Sequence, residues 1–244
     1  MKTCLFTGPT LYRVPTPPCV ARFGPAAMGS VFRAVEAGYT RIGIVDGHFG
    51  NIPSVWHKEI LYALSEGVEV IGAASMGALR AAELCAFGMV GIGRIFRLFR
   101  SGRWTDDDEV AVIHAEEELS FCPVSDAMAN IRFTLRRLRR SGQIDADTEM
   151  DIVDRMKTCH FSLRTRDELE RQAANVLGKR RARWLRKAFE QEYVDVKRED
   201  ALALLAYLGG RSYPNARQRA WVFPDTGNWQ WQFRKNLADI PPLR

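Results

Sequence analysis

One serine stands where a serine can act as a nucleophile, at a turn between a predicted strand and a predicted helix. The strand covers residues 68–74 and the helix begins at residue 76, so Ser75 lies at the carboxyl end of the strand. There its hydroxyl lies near the unpaired N–H groups and the positive dipole of the helix. Nucleophilic serines of α/β hydrolases occupy such turns. We predict that Ser75 is a nucleophile for acyl transfer; a purely structural junction is the alternative.

The backbone around this turn offers groups that would bind the substrate. The N–H of Met76 would stabilise an oxyanion, and the small Gly77 leaves room for a substrate carbonyl. Gly8 and Pro9 end the first predicted strand, and their loop could supply a second oxyanion donor. A plain turn is the alternative for that loop.

A histidine base and an orienting carboxylate would complete a triad, whose members can come in any chain order. We assign His57, in the first turn of a predicted helix, as the base that takes the Ser75 proton, and Asp46 or Glu59 as its orienter. His48, in a loop after a strand, competes for the role of base. The structural alternatives are a hydrogen-bonded helix-end histidine, a solvent-facing loop histidine and a turn-capping aspartate.

Other polar features favour substrate contact over cofactor chemistry. Arg80 follows Ser75 by just over one helical turn and could bind an acidic substrate tail, although an ion pair with Glu83 is the simpler explanation. The acidic run 106–109 is expected to be a helix N-terminus, not a metal site. Residues 91–93 lack the full glycine fingerprint of a dinucleotide site. We therefore predict no metal and no cofactor.

The elements that position these residues alternate along residues 1–88. Strands are predicted at 4–6, 41–47 and 68–74, each followed by a helix, and this order predicts a parallel sheet in a three-layer α/β domain. From about residue 92 to 207 the apolar residues recur with the period of an α-helix. We expect an α/β core domain over 1–103 and a helical region over 104–244.

Charge and cysteine content narrow the class of protein. The chain has 244 residues and a net charge of +6, and residues 1–104 hold 11 Lys/Arg against 6 Asp/Glu. This basic excess would attract an acidic partner, but it is too diffuse to indicate nucleic acid. The five cysteines form no Cys-x-x-Cys pair, which predicts reduced thiols. With no signal peptide and no apolar span of membrane length, we predict a cytoplasmic protein away from membranes.

Two further features could form contact surfaces. The arginine-rich predicted helices at 132–140 and 179–187 are interpreted first as solvated faces and second as contacts for an acidic protein or leader peptide. The tail holding Trp221, Trp229 and Trp231 is expected to pack back on the body or to dock on a partner.

Long motifs in the first half of the chain resemble the TfuA-like proteins. They are carried by residues 46–49, 55–61, 75–84, 87–89 and 107–111, within a resemblance that covers roughly residues 1–115. One departure is Ser30, where the family pattern has an acidic residue after Gly29. The string around Ser75 also resembles the nucleophile segment of Clp-type serine proteases, but that similarity is short and indicates shared turn chemistry only.

The resemblance implies a role beside YcaO enzymes in ribosomal peptide pathways of the trifolitoxin type and in peptide thioamidation. It implies that the chain supplies sulfur by hydrolysing a thiocarboxylated, ubiquitin-like sulfur-carrier protein. The implied partners are a YcaO-type cyclodehydratase, this carrier and the precursor peptide. The alternative hypothesis is a noncatalytic partner that binds and stimulates YcaO, in which the Ser75 turn is structural.

Overall fold

The computed structural model describes residues 2–49, 52–210, 221–235 and 243. The chain divides into two compact units. One comprises residues 1–105 together with 198–244, and the other comprises residues 106–197.

The first unit contains a five-stranded sheet in which every described strand pair is parallel, in the order β2-β1-β3-β4-β5. Its strands are β1 Thr3–Phe6, β2 Val20–Phe23, β3 Arg41–Ile44, β4 Glu69–Ala73 and β5 Val90–Ile92. The predicted α/β fold with a helical C-terminal region is therefore confirmed.

Helices make up most of the remaining described structure. They are α1 Ser30–Glu36, α2 His57–Ser65, α3 Met76–Leu84, α4 Gly93–Arg100, α5 Met128–Arg140, α6 Ala146–Thr158, α7 Arg166–Leu177, α8 Lys179–Gln191, α9 Val196–Leu208 and a short α10 Gly227–Trp229. The last of these continues as a π-helical turn over Gln230–Lys235. No helix within the described ranges is both long and apolar enough to cross a bilayer.

Apolar side chains alternate between the two faces of the sheet, and each face is covered. Leu204 and Leu208 of α9 pack in one cluster with Leu5 and Ile71, and Gly43 gives them room, since a Cβ there would lie 2.8 Å from Leu208 Cδ1. On the other face α3 approaches β3 and β4. A strand buried on both faces is expected to be nearly continuous in apolar residues, as β3 and β4 are.

The second unit is a helical bundle with its own core. Leu135 of α5, Ile152 of α6, Leu169 of α7 and Phe189 of α8 belong to one buried cluster. Two of its helices have side-chain N-caps. The side chain of Asp145 accepts a hydrogen bond from the Thr148 N–H at 2.8 Å, and the Thr165 side chain caps α7.

The sequence missed two strands and placed one helix wrongly. β2 and β5 have only four and three residues and were not predicted. The helix expected to begin at the acidic run 106–109 is absent from the described structure there, which has a single 3₁₀ turn over Asp107–Glu109 followed by irregular chain. A β-bridge between His114 and Pro123 orders that segment instead.

Candidate functional site

The carboxyl ends of the strands bring the predicted segments to one edge of the sheet. Residues 7–10 follow β1, residues 45–48 follow β3, and residues 74–75 follow β4. The chain leaves β1 toward β2 on one side and later reaches β3 on the other side. The crevice between the ends of β1 and β3 is thus where open α/β sheets bind ligands.

Ser75 lies in a strained turn. Its amide donates a hydrogen bond to the Ala73 carbonyl at 2.8 Å, which closes a γ-turn around Ala74. That alanine has a φ of +65°, a conformation that costs an L residue about 1–2 kcal/mol. Strain of this kind persists only where the surrounding structure holds it, and it concentrates at functional sites. The Ser75 residue is 2% exposed.

The N-terminus of α3 leaves one amide available beside this serine. The Ser75 amide is used in the γ-turn, Gly77 N–H donates to the Val45 carbonyl at 3.2 Å, and Ala78 N–H donates to the Ser75 carbonyl at 2.9 Å. For Met76 N–H no acceptor occurs among the residues that the structure describes. Because the four amides at a helix start have no helical acceptor, the Met76 N–H is the donor left for an external oxygen.

Glycines allow α3 to begin directly on the sheet. A Cβ at Gly77 would lie 1.8 Å from the Ile44 carbonyl oxygen, and a Cβ at Gly72 would lie 2.0 Å from the Gly77 oxygen. The loop after β3 is equally close, since a Cβ at Gly47 would lie 2.7 Å from Met76 Cγ. These contacts fix the Ser75 turn against the loop that carries His48.

Asp46 fastens the loop after β1 to the end of β3. Its buried carboxylate accepts hydrogen bonds from Gly8 N–H at 2.8 Å, Thr10 N–H at 3.1 Å, the Thr10 hydroxyl at 2.5 Å and the Thr7 hydroxyl at 3.3 Å. The Gly8 amide, which the sequence suggested as a second oxyanion donor, is thus committed to Asp46, and Pro9 has no N–H to offer. Asp46 shapes the crevice and does not contact His57.

Glu59 is a structural cap and not the predicted orienter of His57. Its carboxylate accepts four backbone N–H bonds, from Gly29, Val31 and Phe32 at the start of α1 and from Trp56 at the start of α2, at 2.8–3.2 Å. Burial of this fully enclosed group raises its pKa to about 7, against the lowering effect of the four N–H donors. One carboxylate therefore holds two helix N-termini together.

His57 is hydrogen-bonded to a different carboxylate. Its Nε2 atom lies 2.7 Å from Glu83 Oε2 on α3. Burial opposes ionisation of Glu83, but the hydrogen bond from His57 and the charge of Arg80 outweigh it and lower the pKa of Glu83. Glu83 lies eight residues beyond Ser75, about 12 Å along a helix, so His57 is held far from the serine.

Arg80 forms its hydrogen bonds with groups of the protein itself. Its guanidinium donates to the Val55 carbonyl at 3.1 Å, to Glu83 at 2.9 Å and to the Ser54 hydroxyl at 3.5 Å. The simpler explanation from the sequence, an ion pair with Glu83, is the one that the structure has. Arg80 pins the segment before α2 to α3.

His48 is the histidine that lies at the edge of the sheet with Ser75. Beyond β3 the chain forms a β-bridge between Gly47 and Ala26. A Cβ at Gly47 would lie 2.7 Å from Met76 Cγ, so the loop that carries His48 contacts the start of α3 beside Ser75. His48 is partly buried, and its amide donates to the Ala26 carbonyl at 3.0 Å.

The acidic run in the second unit is neutralised by basic side chains. Asp106, Asp108 and Glu109 offer oxygens that lie within 4.8 Å of one another. Lys157 forms ion pairs with all three of them, and the buried Arg164 donates to Asp108 at 2.5 Å. These cations occupy the role that a metal ion would have, so the cluster is a salt-bridge network.

The aromatic tail packs on the first unit. Phe223, Trp229 and Phe233 form a buried cluster with Phe32 and Tyr62 of α1 and α2. The ring of Trp229 stacks on Phe233 with centroids 4.3 Å apart. The described part of the tail therefore covers the outer surface of α1 and α2.

The segment that contains this arrangement matches a known protein family. Residues 46–165 match the model of a family described as TfuA-like protein, and this segment contains the Ser75 turn, the His48 loop and α2 and α3. No curated protein is similar enough to the chain to count as a match. TfuA-like proteins act as partner-type proteins in YcaO-associated pathways. The match over residues 46–165 thus supports the resemblance of this chain to the TfuA-like protein family.

Proposed function

We propose that this chain hydrolyses a thiocarboxylated sulfur-carrier protein and so supplies sulfide for YcaO-dependent thioamidation of a peptide backbone. One observation carries the proposal: Ser75 sits in a strained γ-turn at the carboxyl end of β4, next to the Met76 N–H, for which no acceptor occurs among the described residues. A nucleophile beside an available helix N-terminal amide is the arrangement that acyl-transfer hydrolysis requires.

The reaction proceeds in two balanced steps. Ser75 Oγ attacks the carbonyl carbon of the thiocarboxylate while a base takes the hydroxyl proton, and the developing oxyanion is stabilised by the Met76 N–H. The base then gives this proton to the sulfur, the carbon–sulfur bond breaks and HS⁻ leaves, which yields a carrier ester on Ser75. Water hydrolyses this ester, restoring the serine hydroxyl and releasing the carrier with an ordinary C-terminal carboxylate.

The base in this proposal is His48 and not His57. His57 is bonded to Glu83, about 12 Å along α3 from Ser75, whereas His48 directly follows Gly47, at which a Cβ would lie 2.7 Å from Met76 Cγ. Asp46, one residue before Gly47, holds the neighbouring loop in place through its four hydrogen bonds. His48 is thus the histidine that we assign as the base.

The charge of the N-terminal part of the chain fits an acidic carrier. Residues 1–104 hold 11 Lys/Arg against 6 Asp/Glu, and such an excess speeds the encounter with an oppositely charged protein. Arg97, Arg100 and Arg103 at the end of α4 and just after it are among the contributing cations.

A noncatalytic role as a YcaO-binding partner is the second candidate, and the burial of Ser75 favours it. A serine residue that is 2% exposed requires the substrate tail to enter the crevice, whereas a structural turn requires no access. In that case the aromatic tail or the arginine-rich helices would matter more than the serine.

Sulfide release from a thiocarboxylated carrier, measured without YcaO, tests the proposal. The wild type is compared with Ser75→Ala and with Ser65→Ala, which removes an exposed serine of α2 that only bonds the Tyr62 carbonyl. We expect Ser75→Ala to lower the rate by about 10³-fold or more and Ser65→Ala to leave it unchanged, with the same circular dichroism spectrum for both. Equal rates for wild type and Ser75→Ala would reject the proposal.

A further inference from the structure

Helix α8 is far more basic than the unit that contains it. Its thirteen residues, Lys179–Gln191, include six Lys/Arg and one glutamate. Residues 106–197 as a whole carry 17 Lys/Arg and 19 Asp/Glu. Positive charge is therefore concentrated on one helix of a unit that is slightly acidic overall.

One side of α8 presents these cations together with an exposed tryptophan. Arg180, Arg183, Trp184 and Lys187 recur at helical spacing and are all exposed, and we call them the α8 basic face. Trp184 is 41% exposed, which is unusual for so large an apolar side chain. The opposite side of the helix supplies Leu185 and Phe189 to the core.

The cations of the α8 basic face have little compensation inside the protein. Within the described residues no carboxylate forms an ion pair with Arg180 or Lys187, and Arg183 reaches only Glu170 at 3.9 Å. Arg186 is not part of this face, and its charge is compensated, because it pairs with Asp167 at 2.5 Å and with Glu170 at 3.2 Å.

This arrangement is unfavourable for the helix itself. Lys179, Arg180 and Arg181 stand at the N-terminal end, where the helix dipole is positive, and the N-cap Gly178 provides no side-chain hydrogen bond. Like charges four residues apart, as at Arg183 and Lys187, add repulsion. Packing does not require these charges, since the buried side of α8 is apolar, so folding does not explain them.

We propose that the α8 basic face binds an acidic segment of a partner polypeptide, with an apolar residue of that segment resting on Trp184. The face runs from Arg180 to Lys187, about 10 Å along the helix, which matches about three residues of extended chain. Acidic side chains would relieve the repulsion among the three cations, and the exposed indole would gain a covering side chain.

The surroundings favour a short acidic peptide over nucleic acid. Asp167, Glu170 and Glu190 flank the face and are partly or largely exposed. A continuous phosphate backbone would pass over these carboxylates and be repelled. A peptide with a few acidic residues needs only the three cations and avoids the flanking negative charges.

Fluorescence anisotropy of the full-length protein with a labelled twelve-residue peptide tests this inference. The peptide contains glutamate, aspartate and two leucines, and the salt is kept at about 150 mM so that long-range attraction is screened. The double variant Arg180→Glu/Lys187→Glu is compared with the control Arg140→Glu/Arg155→Glu. The control changes the net charge equally at two exposed arginines of α5 and α6, and no described carboxylate pairs with either.

We expect saturable binding to the wild type, at least about tenfold weaker binding to the face variant and less than about twofold change in the control. Trp184→Ala is expected to weaken binding to the same peptide while leaving the salt dependence unchanged. Equal weakening in both double variants, no saturable binding to the wild type, or tighter binding of an oligonucleotide of the same net charge would overturn the inference.

Discussion

His57 Nε2 lies 2.7 Å from Glu83 Oε2, and this pair is about two helical turns along α3 from Ser75. The pair joins the first residue of α2 to the C-terminal end of α3, and Arg80 completes it through its bond to the same carboxylate oxygen. A histidine held in this way orders two helices at the surface. It follows that His48 and His57, the two histidines that precede Ser75 in the predicted site, have different roles.

The first prediction distinguishes the roles of His48 and His57 by the rate of sulfide release. His48→Gln is expected to lower sulfide release from a thiocarboxylated carrier by about 10²-fold or more, because the general base is lost. His57→Gln is expected to retain most of the rate, since glutamine can still donate to Glu83. The measurement is single-turnover sulfide release at saturating enzyme, and the reverse pattern would assign the base to His57.

The second prediction concerns the contact of α3 with the sheet. Gly77→Ala is expected to lower the free energy of unfolding by about 3 kcal/mol or more, because its Cβ would lie 1.8 Å from the Ile44 carbonyl oxygen. Gly227→Ala, where nothing lies within 4 Å of an added Cβ, is the control and should be nearly neutral. Urea unfolding followed by circular dichroism measures both. A tolerated Gly77→Ala would mean that α3 does not begin on the sheet.

A third prediction tests the strain at Ala74. Glycine accepts a φ of +65° without strain, so Ala74→Gly is expected to leave the free energy of unfolding unchanged or raise it by up to about 1 kcal/mol. Ala73→Gly, in the buried strand one residue earlier, is expected to lower it by about 1–2 kcal/mol. Chemical denaturation compares the two, and equal losses would show that Ala74 is unstrained.

The fourth prediction follows from the raised pKa of Glu59. With a pKa of about 7 in the folded protein and about 4.3 in the unfolded chain, the folded state holds a proton that the unfolded state releases. This contribution to stability is therefore complete below about pH 4.3 and is lost as the pH rises through 7. Glu59→Gln should flatten the pH dependence in that window while lowering stability throughout, because its amide places an N–H₂ group among four N–H donors. An unchanged slope between pH 5 and 8 would contradict this.

The strands that are buried on both faces could be predicted from the sequence, and the two strands nearest the sheet edges could not. Residues 41–47 and 68–74 are nearly continuous in apolar residues and end in a glycine turn or a serine turn, so β3 and β4 follow from the sequence. β2 is a half-exposed edge strand behind three prolines, and β5 contains a glycine, Gly91, against which the Phe96 ring packs. Their pairing with neighbouring strands, and not their own composition, makes them strands.

For the candidate site, the sequence located groups but not their pairings. The place of Ser75 at a strand-to-helix turn followed from local pattern alone. The bond of His57 to Glu83 spans 26 residues, and the Asp46 contacts to Gly8 and Thr10 span 38 and 36, so no local rule could assign them. The Glu59 cap was partly visible, because Trp56 and Glu59 stand at capping-box spacing, but its bonds to α1 depend on how two helices meet.

Trapping of the covalent intermediate tests the central claim most directly. Wild-type protein is mixed with the thiocarboxylated carrier, quenched in acid within the first turnover and analysed by intact-mass and peptide mass spectrometry. The account predicts an adduct whose mass is the sum of the two proteins less hydrogen sulfide, attached as an ester at Ser75 and missing in Ser75→Ala. Sulfide release by the wild type with no adduct, or with the carrier on another residue, would contradict it.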